Sequence, residues 1–361
     1  MTTTGLLGEG VERELSEPDT SAGADAPYLV LVSFTNAVAS PESLLALVDI
    51  STGYLREIGF GYDLADFGAT GLTALASGEV VVGLPGTKRL VRLRPDLSLE
   101  RSTVVADLDD AHSLTWTHDS LLTVATGRDS VLELSLFSDP PFELVAEHAL
   151  SSEQRDSMHV NSVAFHQGHV LVSTFGEGWR VQPHGAPIGQ IRDLSNGSVL
   201  SGGLSQPHTL VSNGGHLYVL GSFSGTIEEV QPDGDRTVLA SYPGYLRGLV
   251  VDPLDAAGAL VGVSGKRRRS RGLGTENVAG PEFDARCGIL RFGVDWERLA
   301  FIDLSWFGNE IFDLLPVDQD VEPPTMAETL AAAQHRSLQL AASWEAPPGG
   351  AVAPTEPIAP R

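Results

Sequence analysis

A six-bladed β-propeller is the fold the sequence predicts, and three observations predict it. Residues from about 28 to 320 hold short apolar runs bounded by Gly, Asp, Asn or Pro, without helical periodicity. One three-strand unit recurs at a spacing that suits a four-stranded blade. The first strands of the chain lack an inner partner, which the last strand can supply.

The strand signals come in order. Tyr28–Phe34, Leu44–Ile50 and Tyr54–Phe60 are three strands with no inner strand before them. Thr70-Gly71-Leu72-Thr73 then opens a unit, followed by EVVVGLPGTKRLVRLRPD. His112-Ser113-Leu114-Thr115 opens the next, with SLLTVATGRDSVLELSLF behind it. Asn161-Ser162-Val163-Ala164 and His208-Thr209-Leu210-Val211 open the third and fourth. Arg247-Gly248-Leu249-Val250 opens a fifth and Glu310-Ile311-Phe312-Asp313 a sixth. The spacings are 42, 49, 47, 39 and 63 residues. The long last interval contains the Gly- and Arg-rich stretch 264–285. The sixth unit has an inner strand and little β sequence after it, so the N-terminal strands complete its blade. Closure of that kind removes open sheet edges.

Outside the propeller, expected over 27–320, the chain reads differently. Residues 1–26 and 346–361 are polar or Pro/Ala-rich and read as disordered tails. Residues 321–345 form a helical extension, in which Thr325–Ser343 carries good helix formers and a Thr325/Glu328 capping box.

Composition narrows the function. The chain has 361 residues, 47 Asp plus Glu against 23 Lys plus Arg, and a formal charge of −24. That balance argues against nucleic acid and against an anionic membrane surface as partners. No apolar run is long enough to span a bilayer, and residues 1–27 lack the basic and apolar regions of a signal peptide. The single cysteine, Cys287, excludes an internal disulfide and a cysteine zinc cluster, and reads as a buried structural thiol. A cytoplasmic protein is expected, and the Ala- and Gly-rich composition suits a bacterial protein of specialised metabolism.

The first residue of each inner strand lies beside the propeller axis at one mouth of the channel. Around the ring these are Thr70, His112, Asn161, His208, Arg247 and Glu310. His159 and Tyr245 stand two residues before ring positions, and Asp313 three after one. A purely structural ring needs only small or apolar residues there, because titratable groups in a dehydrated channel are costly. The expected catalytic residues are therefore His112, His159, His208, Arg247, Glu310 and Tyr245. Asn161, Arg247, Thr70, Asp313 and Lys266 are expected to bind substrate, a small anion. His112, His159 and His208 as neutral imidazoles also suit one divalent zinc or iron ion, although Arg247 nearby repels a cation. Without a metal they would act as acid and base. The run Lys266-Arg267-Arg268-Arg269-Ser270-Arg271 reads equally as an anion-steering rim or as a solvated loop. The other seven histidines read as surface residues, and Asp49 and Asp303 as turn residues. Gly-x-Ser-x-Gly does not occur, and Gly272-Leu273-Gly274 lacks the context of a phosphate loop.

His159-x-Asn161, Gly203-Leu204-Ser205-x-Pro207-His208, Pro243-Gly244-Tyr245-x-Arg247-Gly248-Leu249, Arg286-Cys287-Gly288 and Glu310-Ile311-Phe312-Asp313 together resemble an uncharacterised bacterial family, the domain-of-unknown-function 4915 family. The resemblance covers residues 112–317. It departs at Gln206, where members usually have Met, and in the strongly basic 266–271 segment. It implies a propeller and no established activity. More distantly, the architecture is similar to six-bladed sugar lactonases, strictosidine-synthase-like proteins, virginiamycin lyases and the peptidyl-hydroxyglycine amidating lyase. The last holds zinc by three histidines with Arg and Tyr at the reacting centre. That likeness implies a comparable set in His112, His159 or His208, Arg247 and Tyr245. The reading is an enzyme of the lyase, cyclase or hydrolase type. The alternative is a non-catalytic scaffold binding a peptide or protein partner across its face.

Overall fold

The structure, a computed structural model, describes residues 27–35, 44–61, 64, 66–117, 120–153, 155–183, 185–251, 258–265, 286–317 and 321–345. Strands β1 (Leu29–Thr35), β2 (Leu45–Asp49) and β3 (Leu55–Ile58) come first. Five consecutive four-stranded antiparallel sheets follow. They are β4 (Leu72–Ala74), β5 (Val80–Leu84), β6 (Arg89–Leu93) and β7 (Leu99–Val104), then β8 (Ala111–Trp116), β9 (Ser120–Ala125), β10 (Ser130–Ser135) and β11 (Glu143–Ala149). The third comprises β12 (Val160–His166), β13 (His169–Thr174), β14 (Gly189–Asp193) and β15 (Val199–Leu204). The fourth comprises β16 (Pro207–Asn213), β17 (His216–Gly221), β18 (Thr226–Val230) and β19 (Arg236–Ser241). The fifth comprises β20 (Tyr245–Val251), β21 (Ala259–Ser264), β22 (Gly288–Phe292) and β23 (Arg298–Asp303). The last strand, β24 (Glu310–Pro316), pairs antiparallel with β1 and completes the first sheet in the order β24-β1-β2-β3. The molecule is thus a six-bladed propeller closed by both ends of the chain, as the repeat predicts.

Burial explains the strand sequences. The second strand of a blade lies between neighbouring sheets and is covered on both faces, so β5, β9 and β21 are buried throughout and read as apolar runs. The outermost strands β7, β11 and β23 face water and carry mixed polar sequence. In the closing blade, Leu31 and Leu47 pack with Val82 and Val91 of the next sheet, while Val32 packs with Leu260 and Ile289 of the previous one. Each such fully buried side chain contributes roughly 1.5–3 kcal/mol.

A repeated hydroxyl clasp ties five of the six blades to the next. Near the end of the second strand a Ser or Thr donates to a main-chain carbonyl at the start of the next inner strand. The pairs are Ser33 to Thr70 (2.7 Å), Thr126 to Val160 (2.6 Å), Ser173 to Pro207 (3.3 Å), Ser222 to Leu246 (2.5 Å) and Ser264 to Ile311 (2.9 Å). The remaining junction uses backbone instead: the Gly71 amide donates to the His112 carbonyl at 2.6 Å. The strands approach so closely there that a Cβ on Gly71 would lie 2.5 Å from that oxygen.

Helix α1 (Met326–Glu345) starts at the expected capping box, with the Glu328 amide 3.2 Å from Thr325 Oγ1 and the Thr325 amide 2.7 Å from Glu328 Oε2. Thr329 Oγ1 accepts from the Leu55 amide (2.8 Å) and donates to the Leu55 carbonyl (3.1 Å), so the helix covers the outer edge of β3. Buried Arg336 meets Glu57 at 3.3 Å and stacks on Phe307. No helix among the described residues is long and apolar enough to cross a membrane.

Closure makes the N-terminal strands indispensable. Deleting residues 1–60 is expected to leave insoluble protein or a melt without a cooperative transition. A soluble, cooperatively melting product in calorimetry would refute the closure argument.

Candidate functional site

The mouth is built by a turn that three consecutive blades share. Asp110, His159 and Gln206 are non-glycine residues with φ of 53°, 51° and 51°. Each stands two residues before a ring residue. Left-handed backbone is costly for such residues and is retained where the surroundings enforce it. Here the turn aims a carbonyl back at the ring side chain. His112 Nδ1 lies 3.0 Å from the Asp110 carbonyl, Asn161 Nδ2 2.9 Å from that of His159, and His208 Nδ1 3.2 Å from that of Gln206. A carbonyl only accepts, so both imidazoles carry their proton on Nδ1 and present a lone pair at Nε2.

The two lone pairs meet different neighbours. Arg247 Nη2 donates to His208 Nε2 at 3.0 Å, and Arg247 Nη1 lies 3.4 Å from Glu310 Oε2. The guanidinium is sandwiched between the rings of Tyr245 and Phe312, 5.1 Å from each centroid. Tyr245 donates its hydroxyl to Gln206 Oε1 at 2.9 Å and lies 3.4 Å from His208 Nδ1. Nothing among the described residues hydrogen-bonds His112 Nε2. Phe312 touches both Arg247 and, edge to face, His112, which are three ring positions apart. It therefore forms the floor of the mouth.

His159 is oriented separately. Its Nδ1 lies 2.7 Å from Asp156 Oδ1, and its ring packs between Phe175 (4.3 Å) and Trp179 (4.5 Å) and against His112 (5.5 Å). Asp156 also accepts from Arg180 through Oδ2 and from Trp179 Nε1 through its carbonyl at 3.2 Å. The segment carrying both residues hangs on buried Asp129. That carboxylate accepts from the main-chain amides of Ser157 (2.5 Å), Met158 (2.9 Å) and His159 (3.2 Å).

Burial sets the protonation states. It pushes the His112 imidazole down to about 4, against a partial pull from Asp110. His208 is held well below its ordinary value by burial and by the Arg247 charge beside it. Both are neutral at pH 7. Burial raises the Asp156 carboxyl to about 6, opposed by Arg180.

The structure thus gathers six sequence-predicted residues, His112, His159, His208, Tyr245, Arg247 and Glu310, with Asn161 beside them. It does not gather the rest. Thr70 is taken up by the frame, donating to the Gly83 carbonyl and accepting from Ser33. Asp313 lies three residues along β24 from Glu310, about 10 Å at ~3.3 Å per residue. It receives the amides of Leu72 (3.0 Å) and Leu314 (2.9 Å) and joins β24 to β4, with burial pushing its carboxyl up to about 7. Lys266 and the basic run lie outside the described residues.

The three-imidazole metal set does not form as expected. Both nitrogens of His208 are spent, one of them on a cation. Among the described residues no three His, Cys, Asp or Glu groups come together as ligands. His148, His169, His216 and His335 are surface partners of Glu133, Asp193, Glu229 and Glu57, and His166 of Ser212. Cys287 is buried, its thiol pushed up to about 12. Asp49 and Asp303 cap their turns through Ser51 and Ser305.

Sequence reasoning missed Asp156, Gln206, Phe175, Trp179, Arg180 and Phe312. Two of them had a signal. Asp156 stands three residues before His159, and Phe312 two after Glu310 on the same strand.

The His112 shift has a measurable consequence. Between pH 6.5 and about 4 the unfolded chain protonates this imidazole and the folded chain does not, so its contribution to stability falls as the pH drops. Asp156 and Asp313 act in the opposite sense, because their carboxyls hold protons more tightly when folded. A comparison with His112→Gln cancels them. Over that interval the stability of the parent relative to the variant should fall by roughly 3 kcal/mol. A pH-independent difference in denaturant melts would show that His112 titrates normally.

Comparison with solved structures bears out the architecture. A protein of unknown function from Bacteroides caccae superposes with a TM-score of 0.56 at 12% identity, over 81% of this chain and 99% of that one. A chain from a nidogen/laminin complex gives 0.54 at 10% identity, over 81% and 98%. A streptogramin B lyase gives 0.46 at 12% identity, over 80% and 84%. For the first two, at these identities, the likeness is one of fold alone. No curated protein matches the sequence. The family model "Domain of unknown function (DUF4915)" matches residues 94–326, from the second blade to the start of the helix, and the chain belongs to that family.

Proposed function

We propose that the protein is an enzyme that works by acid–base chemistry on a small anionic metabolite at the propeller mouth, of the lyase, cyclase or hydrolase type. One observation carries this reading. Three imidazoles, a guanidinium and a carboxylate from five different blades meet in one place, and Asp156 orients one of the imidazoles. A binding face for a protein partner exposes its contact residues. Here the ring residues His112, Asn161, His208, Arg247 and Glu310 are between 1% and 7% exposed. Burying such groups costs stability, and convergent titratable groups in a concave site are the usual mark of chemistry.

The roles follow from the hydrogen bonds. His159, with Nδ1 against Asp156, takes up or delivers the proton at Nε2, and Asp156 is its positioning residue. Neutral His112 accepts a hydrogen bond from the substrate at its open Nε2. Arg247 holds the substrate's carboxylate or developing oxyanion. Glu310 and His208 fix the guanidinium in place, and Tyr245 supplies a phenolic proton. Because His208 is committed to Arg247, a divalent ion has no three-imidazole set to occupy. The reading therefore routes no step through a metal held by these three imidazoles.

Two measurements test it. In a thermal-shift screen of small carboxylates and phosphates, at least one ligand should stabilise the parent and fail with Arg247→Met. Once a substrate is in hand, His159→Asn should lower kcat by about 10²–10⁴-fold with KM little changed. A screen without a single binder would favour the protein-binding scaffold. Elemental analysis of untagged protein should find well under one divalent ion per chain. Near-stoichiometric zinc, iron or manganese, lost in both His112→Ala and His208→Ala, would overturn that reading.

A further inference from the structure

The mouth is closed as well as crowded. Its ring residues are nearly inaccessible, so a ligand reaches them only if something above them moves. Beside them the turn after β13, residues 176–183, lays Trp179 on His159. It begins at Gly176, whose φ is 97° and where a Cβ would lie 2.3 Å from the Ile188 carbonyl. Gly178, at φ 72°, precedes a short 3-10 turn, Trp179–Val181. Two left-handed glycines thus flank the approach to Trp179 and leave that stretch free to re-orient about them.

What holds the segment down is local and polar. Trp179 lies on His159 and, edge to face, on Phe175 at 5.5 Å. Its Nε1 and Arg180 Nε both donate to the Asp156 carbonyl, at 3.2 and 3.3 Å, and Arg180 pairs with the Asp156 carboxylate. The Arg180 guanidinium covers the outer face of the Trp179 ring, 4.6 Å from its centroid. Apart from the Phe175 contact and the Arg180–Trp179 stack, these contacts are made to Asp156 or to His159. None of these Trp179 and Arg180 contacts is to the apolar wedges between the blades, whereas the Gly176 amide ties the start of the segment to the Met158 carbonyl at 3.2 Å. Such a segment opens at lower cost than the frame around it.

We infer that residues 176–183 are a lid, with Trp179 and Arg180 as its latch, and that opening it admits ligand to His112 and Arg247. The inference rests on the reading of the mouth as a ligand site. It adds that the lid regulates entry, and that its latch shares Asp156 with the acid–base group. Closing over a bound molecule would exclude water and return His159 to its oriented state in a single movement.

The test needs no substrate. Diethylpyrocarbonate carbethoxylates neutral imidazoles that it can reach, and peptide mass spectrometry reads the rate at each histidine. His169, whose side chain is 59% exposed, serves as the reference. In the parent, His112 should react far more slowly than His169. In Trp179→Ala and in Arg180→Ala its rate should rise about tenfold, the factor equivalent to ~1.4 kcal/mol of lost latch contact, with His169 unchanged. Arg180 is exposed enough for its variant to decide the matter if Trp179→Ala does not fold. Equal rates at His112 and His169 in the parent would overturn the lid. So would a His112 rate unchanged in the folded variants. Gating without any binder in the ligand screen would count against the enzymatic reading and leave the lid standing. A binder without gating would do the reverse.

Discussion

Everything at the mouth depends on the pairing of β24 with β1. That ladder joins residues nearly 300 positions apart and turns an open arc of sheets into a ring. An arc has no axis on which six inner strands can converge. Glu310 and Phe312 both lie on β24, so the same pairing delivers the carboxylate that meets Arg247 and the ring that floors the mouth. The hydroxyl clasps then set the angle between neighbouring blades. Each places a hydroxyl donor at or just beyond the end of a buried strand on a main-chain carbonyl at the start of the next inner strand.

The mouth runs against the economy of the rest of the core. A buried Arg247–Glu310 pair contributes little net stability, because the desolvation of two ions consumes most of the attraction. Two neutral imidazoles held below their ordinary titration range cost more. Three non-glycine residues in left-handed backbone add strain at the same place. These costs at the mouth accord with the proposed function. The three imidazoles are also not equivalent. His208 is bound to a guanidinium, His112 keeps an open lone pair, and His159 is turned by a carboxylate. His112 and His208 hold equivalent positions of the repeat and differ through their neighbours, whereas His159 holds the turn position that Asp110 and Gln206 occupy in the adjoining blades.

Asp156 links the two levels of the site. Its carboxylate meets His159 on one side and Arg180 on the other, while Asp129 suspends the segment that carries it. The proposed acid–base group and the proposed latch therefore share one residue. In the proposed lid, orientation of His159 and closure would be coupled through Asp156 alone, with no long-range pathway required.

The repeat, the blade count, the closure and the ring of first residues were all legible in the sequence. Each follows from a short-range pattern: apolar strands two-sided in burial, turns at Gly, Asn and Asp, and one inner-strand motif recurring around the chain. Cys287 and the surface histidines were legible for the same reason. What only the tertiary structure decided is which of those residues share a contact. Thr70 and Asp313 occupy ring-like positions, yet the frame uses their hydrogen bonds. Asp156, Gln206, Phe175, Trp179 and Arg180 sit in turns whose direction depends on left-handed backbone and on the neighbouring blade. A sequence repeat places a Cα on the ring. Whether its side chain reaches the axis, a strand edge or a neighbouring charge is fixed by packing between blades, which local pattern does not encode.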